Sequence, residues 1–187
     1  MPFIDTPING LFVFEPKIFE DARGYFFESF NAATFAEKNI NTNFVQDNQS
    51  KSSFGVLRGL HYQLAPYAQA KLVRVISGEV LDVAVDIRQY SPTYGQHFSV
   101  VLSAENKKQL YIPRGFAHGF VVLSETAEFF YKCDNYYNKE HDAGIRFDDP
   151  ALNIDWMLAA DVILVSEKDN HLPNFTEAKN NFTAVEK

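Results

Sequence analysis

Apolar residues along the chain gather in short runs, several of them alternating with polar ones, and turn residues separate most of these runs. The pattern predicts strands at Leu11–Phe14, Tyr25–Phe30, Phe44–Asp47, Val56–Gln63, Lys71–Ile76, Glu79–Ile87, Phe98–Leu102, Gln109–Ile112, Phe116–Leu123 and Glu128–Cys133. The clearest case is Val73–Ile87, where Ser77-Gly78 interrupts two apolar runs and Leu81, Val83, Val85 and Ile87 alternate with Asp82, Ala84 and Asp86. This spacing predicts a hairpin with one buried face. Helix is sparse: Asn31 stands as an N-cap before Ala32–Asn39, and the tail from Asp148 onward has room for one or two more short helices. Regularly spaced strands without crossover helices imply an antiparallel sheet system closed on itself, which also removes exposed edges. The expected class is therefore all-β: a jelly-roll β-barrel with a short helical C-terminal appendage, its polar last residues Ala178–Lys187 frayed.

Composition narrows this picture. A length of 187 residues fits one domain over 1–187, and no repeat or linker-like stretch divides it. Eighteen Phe and nine Tyr favour pleated, half-buried surfaces. The net charge of −7 argues against a nucleic-acid partner, although a few local arginines can still hold a small anion. Cys133 is the single cysteine, so no internal disulfide forms and a reducing compartment is expected. The opening MPFIDTPINGLFVFEP lacks the basic end and unbroken apolar stretch of a signal peptide, and no apolar run approaches the ~18 residues that cross a bilayer. A cytoplasmic protein with no membrane partner is the expectation.

Four clusters could carry chemistry. In RGLHYQ, period two places Leu57, Gly59, His61 and Gln63 on one face, and QAKLVRV offers Lys71, Val73 and Val75 as an equivalent set. His61 and Lys71 can then aim at one cavity, while Arg58 points the other way unless Gly59 marks a bulge that re-aims it. In IPRGFAHGF, His118 shares a face with Phe116 and Phe120, so it needs a polar partner, backbone being the plainest, or a ligand. In EFFYKCDNYY, Tyr131 alternates in phase with Phe129 and Cys133; strand tyrosines usually pack, but beside His61 one could donate a proton. In DARGYFFESF, Arg23 and Glu28 lie near Phe19, Phe26 and Phe27, and alone this reads as a charged edge strand. No His-X-His pair exists, so a metal would have to be assembled from isolated residues, and a metal-free site is favoured.

Taken in order, DARGYFFESF, QDNQSKSSFGVLRGLHYQ, QAKLVRVISGEVLDVAVDIRQYSPTYGQ, LSAENKKQLYIPRGFAHGFVVLS and YKCDNYYNKEHDAGIRFDDPAL resemble the dTDP-4-dehydrorhamnose 3,5-epimerase family over roughly Phe14 to Pro173. The resemblance implies a cupin-type jelly roll, a homodimer, no metal or redox cofactor, and conversion of dTDP-4-dehydro-6-deoxy-D-glucose to dTDP-4-dehydro-L-rhamnose. It implies His61 as catalytic base, Asp169 in SEKDN as the carboxylate orienting it, Lys71 near the keto oxygen and Tyr131 as acid on the opposite ring face. His118 matches a sugar-side histidine. Arg23, Glu28, Gln46, Asn48 and Arg58 match polar or phosphate-contacting positions, with Phe19 and Tyr137 as base-stacking residues. Alternatives are an epimerase of carbon 3 or 5 only, a ketoisomerase, and a nucleotide-sugar-binding module without turnover.

Overall fold

The computed structural model describes residues 2–184. Its strands are β1 (Phe3–Asp5), β2 (Phe12–Phe14), β3 (Phe19–Asp21), β4 (Gly24–Phe26), β5 (Gln46–Ser53), β6 (Leu57–Gln63), β7 (Lys71–Ser77), β8 (Glu79–Asp86), β9 (His97–Ser103), β10 (Gln109–Ile112), β11 (Phe116–Val122), β12 (Thr126–Cys133) and β13 (Asp142–Gly144). Two short helices, α1 (Ala32–Ala36) and α2 (Glu167–Asn170), complete the list with a 3-10 turn at Lys139–His141. None is long and apolar enough to cross a membrane.

The strands form a six-stranded sheet in the order β1-β2-β10-β7-β12-β5, a five-stranded sheet in the order β13-β6-β11-β8-β9, and a separate β3-β4 ribbon, all antiparallel. Period-two alternation sends one set of side chains from each large sheet into the space between them. Val73 and Val75 of β7, Leu110 and Ile112 of β10, Phe116 and Phe120 of β11, and Phe129 of β12 meet there. Removing these residues from water is the main driving force for closing the barrel, at roughly 1.5–3 kcal/mol per large side chain.

The outer faces are covered too. Leu81, Val83 and Val85 of β8 and Val121 of β11 pack under the C-terminal segment with Leu152 and Trp156. Phe14, Phe35, Leu72 and Tyr111 form a third cluster beneath α1, whose Asn31 cap accepts backbone N–H bonds from Ala33 and Thr34 as its sequence predicts.

Several expectations change. Val73–Ile87 is not a hairpin, because β7 and β8 belong to different sheets and the chain crosses between them at Ser77-Gly78. Nor does β8 have one buried face: the C-terminal segment buries the other. Of the predicted Tyr25–Phe30 strand only Tyr25 and Phe26 are extended, in β4 of the β3-β4 ribbon, and irregular chain follows. The tail holds the single short helix α2 among the described residues. Fraying is not seen up to residue 184, since Ala178 and Phe182 pack on the second cluster and Asn180 donates to the Ile87 carbonyl. The rest of the predicted frayed end, residues 185–187, lies outside the described residues.

Candidate active site

The barrel opens on a cavity of about 540 Å³ lined from both sheets. Its chemistry begins with an irregularity in β6. Opposite β11, His61 faces His118 and Arg58 faces Phe120, so Gly59 and Leu60 together span the length of Gly119 alone. Gly59 is at φ +130°, and a Cβ there would lie 2.5 Å from the Gly119 Cα and 2.8 Å from the His118 carbonyl oxygen. The bulge brings Arg58 and His61 to the same inward face, while Leu57, Leu60 and Tyr62 pack outward. The simple alternation expected for Leu57, Gly59, His61 and Gln63 is therefore broken, and Arg58 is re-aimed into the cavity, where its Nε–H donates to Ser52 Oγ at 3.1 Å.

His61 Nε2 lies 2.7 Å from Asp169 Oδ1. Asp169 is on α2, a single turn capped by Ser166, whose Oγ accepts the Asp169 N–H. Burial pushes the Asp169 carboxyl up, but the hydrogen bond and charge of His61, the Gly59 N–H and the Lys168 charge outweigh it and hold the group below its usual range. The carboxylate is buried and the imidazole partly exposed to the cavity, so the pair can take up a proton on the imidazole without the carboxylate turning to water.

Lys71 and Tyr131 enter from the opposite sheet, on β7 and β12. His61 and Lys71 thus share one cavity from facing sheets, not from adjacent strands. The Lys71 Nζ is 5.7 Å from the centre of the Tyr131 ring. Burial pushes its ammonium pKa down, against the opposing influence of Cys133, Asp82 and Asp142. Burial likewise pushes the Tyr131 phenol up, with Cys133 adding to this and Arg58 opposing it. The phenol therefore keeps its proton through neutral pH.

The partner of His118 is a side chain, not backbone: its Nε2 lies 2.9 and 3.1 Å from the two oxygens of Asp82, a carboxylate with no exposure. Tyr137 lines a smaller recess of about 210 Å³ together with His61, Lys71 and Tyr131, and its hydroxyl donates to Asp142 at 3.2 Å. Gln46 and Asn48 are joined side by side on β5, and Gln46 Oε1 accepts the Tyr137 N–H. Phe19, Arg23 and Glu28 are not brought to the cavity of their own chain. Arg23 pairs with Asp21 on the exposed ribbon, and Phe19 and Glu28 flank a separate groove.

Sequence reasoning missed Asp82, Lys168 and Asp142. Lys168 lines the main cavity and holds Asp142 at 2.5 Å. Asp82 had a visible signal, a charge between Val80 and Ala84 of its own phase on a strand whose other phase is also apolar. Among the described residues, no three His, Cys, Asp or Glu side chains converge as a metal-ligand set.

A base, a phenolic acid and an ammonium facing one cavity from two sheets can remove a proton beside a carbonyl, stabilise the resulting oxyanion and return a proton from another direction. The profile of the dTDP-4-dehydrorhamnose 3,5-epimerase family matches residues 5–177. The dTDP-4-dehydrorhamnose 3,5-epimerase of Shigella flexneri is 55% identical over 179 residues, covering 95% of this chain and 98% of its own. The crystal structure of the enzyme of that name from Elizabethkingia anophelis superposes with a TM-score of 0.91 at 54% identity, over 94% of this chain and 96% of the other. The dTDP-6-deoxy-D-glucose-3,5-epimerase of Legionella pneumophila, solved with dTDP-4-keto-L-rhamnose, gives 0.90 at 52% identity over 94% and 93%. Since the family match spans residues 5–177 and these relatives align over more than nine-tenths of both chains, the chain belongs to the dTDP-4-dehydrorhamnose 3,5-epimerase family.

Proposed function

We propose that this single-domain isomerase inverts carbons 3 and 5 of dTDP-4-dehydro-6-deoxy-D-glucose, giving dTDP-4-dehydro-L-rhamnose for rhamnose synthesis in a reducing cytoplasm. The observation that carries the reading is the opposition of His61, backed by Asp169 of α2, on one sheet and Tyr131 on the other across one cavity. At each carbon, His61 takes the proton beside the 4-keto group, and the electron pair moves to the carbonyl oxygen as an enolate. Lys71 supplies the positive charge that this oxygen needs, so neither metal nor redox cofactor takes part. Tyr131 then delivers a proton to the other face of the ring, which inverts the carbon.

Arg58, His118 and Tyr137 hold the sugar, diphosphate and base on the cavity side, with Gln46 and Asn48 behind Tyr137. Phe19, Arg23 and Glu28 complete the site of a second copy in a homodimer. What supports this is the β3-β4 ribbon, where Phe19, Tyr25 and Phe26 are 53%, 58% and 70% exposed and so leave an apolar surface without intramolecular cover.

The test is proton NMR of the 4-keto substrate in deuterated water with excess chelator. Deuterium should enter at both carbons as the inverted product forms. Entry at one carbon only would make the chain a mono-epimerase, and entry at neither would leave a binding module.

A further inference from the structure

Resting on the epimerase reading, we infer that Asp82 is a positioning residue for the enolate-binding side of the cavity: it holds His118 through Nε2, leaving Nδ1 as an acceptor for a sugar hydroxyl, and it is the counter-charge for Lys71, which donates to the oxyanion. Asp82 occupies the middle of β8 with no solvent exposure, among the inward-facing apolar residues of the barrel. A carboxylate in such surroundings persists only when cations or donors compensate it. Its side-chain hydrogen bonds among the described residues run to His118 Nε2, at 2.9 and 3.1 Å. The His118 ring also stacks on Phe129 at 6.1 Å and 24°, which fixes its plane. With Nε2 committed to Asp82, Nδ1 is the nitrogen left to the cavity that this ring lines.

The second half of the inference concerns Lys71. The titratable and charged groups around it are Tyr131 and Cys133 from β12, Asp82 from β8, His118 from β11, Arg58, His61 and Tyr62 from β6, Asp142 from β13, Lys168 and Asp169 from α2, and Tyr137. Burial works against its charge, and Cys133, Asp82 and Asp142 work for it. Burial pushes the Cys133 thiol up to about 11, however, so at neutral pH Cys133 carries no charge. Asp142 is already held by Lys168 at 2.5 Å and by the Tyr137 hydroxyl. Of the two carboxylates that favour the charge, Asp82 is the one with no lysine or arginine paired to it among the described residues. Without it, Lys71 would lose its proton at lower pH, because less would offset the cost of burying the ammonium.

The test is kcat against pH for Asp82→Asn, which keeps the shape of the side chain and removes its charge. We expect kcat to fall about 10²-fold near neutrality, the scale of losing one oxyanion donor. Affinity for dTDP should stay within about twofold, and the alkaline limb of the profile should move to lower pH by about one unit or more. An equal loss at every pH, with the limb unmoved, would reduce Asp82 to a packing role. Nitrogen-15 NMR of the wild type gives a second reading that does not depend on the variant folding: His118 Nε2 should carry a proton, and an unprotonated Nε2 overturns the assignment. If the wild type takes up no deuterium, the epimerase reading fails and this inference with it. If it does, and the limb of Asp82→Asn stays in place, only the inference about Asp82 fails.

Discussion

Asp169 shows how one side chain ties stability to chemistry. Its carboxyl is held below its usual value near 3.8, although burial alone would raise it. A carboxyl whose folded pKa is depressed stabilises the fold at pH above its unfolded value, and that contribution is lost as pH falls through the folded one. Asp169→Asn removes the charge and replaces one of the two acceptor oxygens by an NH2 donor, so the His61 tautomer is no longer fixed by a carboxylate. The variant should slow deuterium exchange roughly 10²–10⁴-fold, while affinity for dTDP changes little. Its unfolding midpoint in urea should lie below that of the wild type at pH 7, with the gap narrowing below about pH 4 as the wild type loses the same charge. A gap that stays constant down to pH 3 would mean that the carboxylate contributes packing only. His118 makes the complementary point. Its need for a partner was legible from its place between two inward phenylalanines, but the partner is Asp82, more than thirty positions away, and only the register of β8 against β11 joins them.

At the scale of elements, legibility followed the hydrophobic pattern. The bounds of β10 agree with the reading because Leu110 and Ile112 face the core while Tyr111 faces the third cluster, so the run is apolar and ends at Pro113. Most of β5 was not legible, since QDNQSKSS has no apolar alternation: pairing with β12 holds it in place, Ser50 lines the cavity, and Ser52 accepts from Arg58. The crossing at Ser77-Gly78 looked like a hairpin because a glycine turn between two apolar runs fits either a hairpin or a change of sheet. Only the competing partners β10, β12, β11 and β9 decide between them. Within β6, Gly59 carried the hint of a bulge, and the close approach of Gly119 makes it necessary. The β3-β4 ribbon has the opposite character, being exposed and packed against little of its own chain. If it completes a neighbouring site, a verified mixed dimer of Arg23→Ala and His61→Ala subunits should recover activity that neither parent shows, because one of its two sites has both residues intact. A mixed dimer as inactive as its parents would place each whole site within one chain.

The whole molecule works as two sheets facing one another across a shared cavity. Because β6 and β11 lie in one sheet and β7 and β12 in the other, the His61–Asp169 pair and Tyr131 are presented from different sides. A flat sheet would place all these side chains on one side of a bound ring, where a proton could be exchanged but not returned to the opposite face. Closure into a barrel is thus what turns enolisation into inversion, and it also keeps the cavity narrow enough for the buried charges to act strongly. The residue that separates these two abilities is Tyr131, so the most direct measurement is the ratio of deuterium uptake to inverted product in Tyr131→Phe against wild type, with circular dichroism to check folding. We predict that inversion falls by roughly 10²–10⁴-fold while deuterium still enters the starting sugar through His61, so that the ratio rises steeply. Uptake and inversion falling together, with the ratio unchanged, would contradict the two-sided mechanism and return Tyr131 to the barrel wall.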